Sequence, residues 1–169
     1  MGNVVQSQID DQLRKGRIWV GEEEVAIPLA GSEFFGYNAK GITISLGIIG
    51  NSTSAKTKIT VREDDGYSGG SDLKLNNRNR IAGINPPNLE LKAGVTANQT
   101  GEVISSFTIF GTAGQGNRLG SVEQSFELPL ILRPNTNYTF EVANESAANA
   151  DYGLLLVLFA NPEGLKSTL

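Results

Sequence analysis

Apolar and polar residues alternate with period two along most of this chain, and such alternation places one set of side chains on a buried sheet face. Val25 and Ile27 stand before Pro28, Phe34-Phe35 follow, and Ile42, Ile44, Leu46 and Ile48 then alternate with smaller or polar residues. The stretch Lys56-Thr-Lys-Ile-Thr-Val-Arg62 alternates likewise and runs into Glu63-Asp-Asp-Gly66, a turn signal. A Gly/Ser-rich loop is predicted at Tyr67–Ser71, followed by Leu73 to Leu75, an Asn/Arg cluster at Asn76–Arg80 and the turn Asn85-Pro-Pro-Asn88. Further strands are predicted at Leu89–Lys92, Glu102–Phe110, Glu123–Arg133, Tyr138–Ala143 and Tyr152–Ala160, with a glycine-rich connection at Gly111–Gly120. Short strands separated by turn clusters point to a sandwich or barrel rather than βαβ units. The expected fold class is all-β, a single jelly-roll β-sandwich of about eight strands.

The first residues follow a different rule. Val5, Ile9 and Leu13 fall four apart, Asp10 and Asp11 lie between them, and Arg14-Lys15 precede Gly16. That pattern is a one-stripe helix with a cationic last turn and a glycine stop. A helix this short is marginal alone in water, so it orders against a partner or against its own domain. The organisation read from the chain is an extended or partly helical N-terminal arm over 1–20, a jelly-roll sandwich over 21–162 and a C-terminal tail over 163–169. One core is expected, because a chain of 169 residues buries roughly 70% of its unfolded surface as a single domain.

Composition narrows the chemistry. The 20 glycines fit a turn-dense β protein. The formal net charge is −4 and no block of Lys or Arg is long enough to follow a phosphate backbone, so nucleic acid is not an expected partner. Cysteine and histidine are both absent. Disulfide frameworks, the usual zinc sites, cysteine nucleophiles and Ser-His-Asp relays all need residues this chain lacks. No cationic region followed by an apolar run opens the chain, and no run of about 18 apolar residues exists, so neither a signal peptide nor a membrane partner is expected. Synthesis in the cytoplasm is the expectation, with no cofactor and no enzymatic activity.

Each remaining candidate has a plain reading beside the functional one. The loop Gly111–Gly120 misses the spacing of both phosphate-loop patterns and reads as a strand connection. Glu63-Asp64-Asp65 offers hard oxygen ligands for Ca²⁺ but lacks alternate-position spacing, and reads as a solvated turn. Glu22-Glu23-Glu24 with Glu33 supply carboxylates for glycoside hydrolysis, or else charge that blunts a strand edge. Trp19, near Phe34, Phe35 and Tyr37, is a carbohydrate platform, an interface anchor or a core residue. In Asn76–Arg80, Arg78 and Arg80 present planar bidentate donors while Asn77 and Asn79 bond back to the main chain, which makes the cluster an interface or an internal corner. Arg14, Lys15 and Arg17 make the arm locally cationic, suited to an acidic patch on a neighbour or to solvent.

Between about Glu33 and Asn161 the order of motifs resembles the jelly-roll decoration (cement) proteins of tailed bacteriophages. A strand opened by Glu33-Phe-Phe is followed by Lys58-Ile-Thr-Val-Arg62, the Asn77-Arg78-Asn79-Arg80 segment, a Gly-initiated strand at Gly101 and a loop closed by Gly120. Leu132-Arg133-Pro134-Asn135-Thr136-Asn137-Tyr138, Val142-Ala143-Asn144-Glu145-Ser146 and a final apolar strand complete the order. The His-containing amino-terminal segment common in that family is missing, and the last strand ends Leu-Phe-Ala-Asn rather than in an aromatic-Glu pair. The resemblance implies a homotrimer on the outer surface of the virion, with the major capsid protein as partner and no catalytic residue. Arg14, Lys15, Arg17 and Trp19 are then the capsid-binding candidates, Asn77, Arg78, Asn79 and Arg80 the interface or corner, and no metal is implied. Extended at about 3.3 Å per residue, residues 1–20 reach up to about 65 Å along a shell. A tail-fibre or baseplate module that binds receptor glycans through Tyr37, Tyr67 or Trp19 is the alternative from another class.

Overall fold

The structure, a computed structural model, describes residues 14–15, 17–41, 44–52, 56–79, 81, 88–109, 124–125 and 130–160. The described strands are β1 (Ile18–Ile27), β2 (Ser32–Ala39), β3 (Ile44–Ser52), β4 (Thr57–Glu63), β5 (Tyr67–Asp72), β6 (Leu75–Asn77), β7 (Leu89–Ala97), β8 (Glu102–Ile109), β9 (Gln124–Ser125), β10 (Leu130–Leu132), β11 (Asn137–Asn144) and β12 (Ala150–Ala160). They form two antiparallel sheets. One has the order β10-β3-β12-β1-β6 with β9 also paired to β3, and the other the order β5-β7-β2-β11-β4-β8.

Without β5, β6 and β7 the orders reduce to β9/β10-β3-β12-β1 and β2-β11-β4-β8. Successive strands then hop from one sheet to the other except between β4 and β8, the double Greek key of a jelly roll. The first and last strands close the sheet together, paired from Ile18↔Phe159 to Ile27↔Ala150. The segment between β4 and β8 is an insertion that adds β6 beside β1 and the β7-β5 pair beside β2. It widens both sheets on the same side.

Period-two alternation builds the core, as the sequence pattern requires. Trp19 and Ile27 of β1, Tyr152, Leu156 and Leu158 of β12 and Leu132 of β10 meet Phe35, Tyr37, Ile59, Val61, Leu91, Tyr138, Phe140 and Val142 of the facing sheet. The Tyr37 ring stands 6.1 Å from that of Tyr138, tilted by 52°, and 6.4 Å from that of Phe140 in an edge arrangement. Each such aliphatic or aromatic side chain contributes roughly 1.5–3 kcal/mol by leaving water.

Several sequence-based boundaries move. β1 begins at Ile18, so Ile18, Trp19 and Val20 belong to the sandwich rather than to the arm. Tyr67–Ser71, read as a loop, lies in strand β5. Gly69, Gly70 and Gly94 take φ of 71°, 79° and 68°, left-handed values that glycine adopts without a Cβ clash. They let a Gly/Ser segment bend yet stay paired with β7 from Tyr67↔Ala97 to Asp72↔Lys92. The long strand expected at Glu123–Arg133 is described as β9 and β10, both on the same edge of β3. Most of the arm, Arg80, the Gly111–Gly120 loop, most of Asn85–Asn88 and the C-terminal tail lie outside the described residues. Among the described residues no helix is long and apolar enough to cross a membrane.

Candidate docking face

The junction of arm and sandwich is built by asparagines. The Asn77 side-chain oxygen accepts from the Asn79 amide at 2.8 Å, and the Asn79 oxygen accepts from the Ile81 amide at 3.1 Å. These are two successive Asx turns, the local bonding that makes asparagine a loop former. Between them the Arg78 amide donates to the Ile18 carbonyl at 3.0 Å, carrying the β1-β6 pairing one step further. Asn79 Nδ2 donates to the Arg14 carbonyl at 2.9 Å. Arg14 is helical and Lys15 is in a turn, so that carbonyl is one of the helix-end acceptors with no partner inside the helix. Asn79 supplies the partner, and the β6 end thereby clamps the base of the arm.

This assigns the Asn/Arg segment two roles. Asn77 and Asn79 form an internal corner that fixes the arm, while Arg78 is exposed. Arg14 and Lys15 are exposed and Arg17 is half-buried. Trp19 is not with them: at 3% exposure it is a core residue of β1. The alternation that points Trp19 inward removes it both from the docking candidates and from any carbohydrate platform. Tyr37, at 0%, is removed on the same ground.

Strand register places charges of both signs at each end of the sandwich. At the end where β1 starts lie Arg14, Lys15, Arg17, Lys40, Arg78 and Arg133, together with Glu63, Asp65, Glu90 and Glu102. At the far end lie Glu24, Glu33, Glu141, Glu145 and Asp151, together with Lys56 and Lys58. Counter-charges exist at both ends: Lys40 pairs with Glu90 at 3.6 Å, Arg133 with Glu63 at 3.2 Å and Lys56 with Glu145 at 2.6 Å. The Lys56 hydrogen bond holds the Glu145 carboxyl below its ordinary range. Burial raises the Glu33 carboxyl against the pull of the Gly94 amide, and repulsion from Glu23 adds to the rise. Glu23 and Glu33, candidate partners in glycoside hydrolysis, are thus electrostatic neighbours between the sheets.

The acidic turn is the largest surprise at the end where β1 starts. Asp65 is 0% exposed and Glu63 8%, so neither is the solvated charge the sequence reading expected. The Asp65 carboxylate accepts from the amides of Thr100 (2.9 Å), Gly101 (3.1 Å) and Gln99 (3.2 Å) and from Thr139 Oγ1 (2.6 Å). Burial alone would raise its carboxyl, but the hydrogen bonds from Thr139 and the three amides outweigh it and lower it. Tyr138 Oη donates to Glu63 at 2.6 Å and accepts from the Arg133 amide at 2.8 Å. Burial and the Glu63 bond push the Tyr138 hydroxyl up to about 12.

At the opposite end Asn144 organises the corner in the same manner. Its Nδ2 donates to the carbonyls of Ala148, Ile27 and Pro28, and its Oδ1 accepts from the amide and hydroxyl of Ser146. Among the described residues no group of three or more acidic side chains is arranged to hold a metal ion. A groove of about 460 Å³ opens beside the insertion, lined by Lys40, Asp72, Leu73, Leu75, Leu89, Glu90, Leu91 and Lys92. No family model and no curated protein matches this sequence.

Proposed function

We propose that this chain is a capsid decoration (cement) protein that binds the outer surface of a phage head and stabilises it by bridging major capsid subunits. The observation that carries the reading is the Asn79 clamp on Arg14, which fixes the cationic base of the arm at the end of a jelly-roll sandwich where β1 starts. The motif order that resembles phage decoration proteins supports the same role. In this reading the protein is made in the host cytoplasm, assembles as a homotrimer, and acts without catalysis, cofactor, nucleic acid or membrane. Arg14, Lys15, Arg17 and Arg78 meet acidic surface on the major capsid protein. Many copies each cover a subunit junction, and preferential binding to the intact shell stabilises it by mass action.

Purified protein added to expanded heads tests this directly. Saturable binding with a rise in head melting temperature is expected; absence of both would sink the proposal. Copy number against the major capsid protein separates a shell-wide coat from a few copies on a tail. The second reading, a glycan-binding module of a tail fibre or baseplate, is favoured only by the groove of about 460 Å³, whose leucine floor is flanked by Lys40, Asp72, Glu90 and Lys92. Selective binding on a glycan array together with low copy number would support it.

A further inference from the structure

We propose that the outer edge of β8 pairs antiparallel with β8 of a second copy of this chain, about a two-fold axis at Ser106. The insertion covers one side of the sandwich, and the opposite side ends on β8 in one sheet and on β9 and β10 in the other. Among the described edge strands β6 and β10 have 3 residues each, β9 has 2, and β5 is bent by Gly69 and Gly70 at positive φ. β8 differs from all of them: it has 8 residues, Glu102 is its one charge, and it contains no proline. A long edge without short length, charge or proline to blunt it is a template for a further strand. Val103 and Ile104 are 47% and 37% exposed on it, and Ser106 is exposed too.

The backbone fixes which groups are open. The Glu145 amide donates to the Lys56 carbonyl at 3.0 Å, one step beyond the β4-β11 register, so the even-numbered residues of β4 bond toward β11 and the odd-numbered ones toward β8. Val61, Ile59 and Thr57 stand opposite Ser105, Phe107 and Ile109, which therefore turn their amides and carbonyls to β4. Ser106 and Thr108 turn theirs outward, and among the described residues no strand meets them. The occupant follows from the strand's own composition. A second β8 centred on Ser106 opposes two outward-bonding residues and sets Thr108 of each copy against Ile104 of the other, covering the exposed isoleucine. The register shift between Val61 and Arg62 ends the regular edge near Ile104. Glu102 of each copy thus stays beyond the paired residues, and no like charges are opposed. So short a pairing is weak in free solution and gains from copies held side by side. An isologous contact closes on itself, so it links one proposed trimer to the next rather than building the trimer.

The chain has no cysteine, so Ser106→Cys in the full-length protein puts a single thiol at the centre of the pair. Its Cα then stands about 5.5 Å from its counterpart, a separation that suits a disulfide. In a glutathione redox buffer this variant should form a disulfide-linked dimer at least about tenfold faster than Ser68→Cys, also exposed but on edge strand β5. Adding Thr108→Pro removes an outward amide and leaves the β4 ladder intact; adding Thr108→Lys sets a charge against Ile104. Either should return the rate to that of Ser68→Cys, with Trp19 emission reporting that the fold is kept. Equal rates for the two single-cysteine proteins would overturn the pairing. So would a fast Ser106→Cys dimer that Thr108→Lys leaves unchanged. Binding to heads is read separately: slow crosslinking with head binding intact strikes the pairing and leaves the decoration role standing.

Discussion

Replacing Asp65 should cost this fold more than replacing any other charged residue described. Its carboxylate receives four hydrogen bonds while 0% exposed, and it joins the β4-β5 turn to β11 and to the turn before β8. A hydrogen bond to a charged group contributes about 1.5–3 kcal/mol, and an orphaned buried donor costs about 1–3 kcal/mol. Gln99 and Thr100 are exposed and their amides regain water, whereas the Thr139 hydroxyl is buried and does not. The expected loss is therefore about 3–4 kcal/mol for Asp65→Ala and about 2 kcal/mol for Asp65→Asn. At about 2–4 °C per kcal/mol for a chain of this size, the alanine variant should melt about 6–16 °C lower.

Urea unfolding followed by the emission of Trp19, the one tryptophan and 3% exposed, measures both variants without a label. The pH dependence adds an independent check. Because the folded carboxyl is held below its ordinary value of 3.8, its contribution is complete above that value and is lost as the pH falls through the depressed folded one. The stability gap between wild type and Asp65→Asn should hold at pH 7 and pH 5 and then narrow below about pH 4. A gap under about 0.5 kcal/mol at pH 7, the scatter of ordinary surface substitutions, would refute this account. So would a gap that stays constant through the acid range.

Three further outcomes are expected. Tyr138→Phe removes the hydroxyl that links Glu63 to the Arg133 amide and should lower stability by about 1–3 kcal/mol, read from the same urea titration. Gly36→Ala would put a Cβ 2.6 Å from two ring carbons of Tyr67, and the displacement of that ring should cost about 1–3 kcal/mol in calorimetry. Deleting residues 1–17 should abolish binding to heads in co-sedimentation while the truncated protein keeps wild-type oligomeric state in light scattering.

The β architecture was legible because period-two alternation and turn residues are local signals. Alternation located β4, β11 and β12, and the residues Pro28 and Gly66 marked where the chain leaves the sheets. The pairing was less legible, since β1 meets β12 across most of the chain and no local pattern encodes that partner. β5 was missed because Ser68-Gly69-Gly70-Ser71 has turn composition, and only its bonds to β7 make it a strand. The acidic turn misled for a related reason. Three consecutive carboxylates read as solvent-facing, yet Thr139 and the Gln99–Gly101 amides that bury Asp65 are distant in sequence. The Asn cluster read as an interface or an internal corner, and its bond to the Arg14 carbonyl was not legible because Arg14 is remote in the chain.

The insertion explains how the base of the arm at Arg14 is tied to the sandwich. In a bare eight-stranded jelly roll with these orders, β1 and β2 would be edge strands with a row of unpaired amides and carbonyls. Here β6 covers β1 and the β7-β5 pair covers β2, with Leu73, Leu75, Leu89 and Ala93 packed against the core behind them. The new edges resist strand addition: β6 is 3 residues long, and β5 is bent by Gly69 and Gly70 at positive φ. Strand addition on this side is therefore disfavoured. The clamp that sets the arm's departure point, Asn77 with Asn79, sits on that same short strand and the turn after it. Hung on a free loop, a cationic helix end would sample a wide volume and lose orientation each time it met a partner. Held by a paired strand, the Arg14 backbone keeps a set position beside Arg78, which in the decoration reading proposed above lets this end meet a complementary surface in a single orientation.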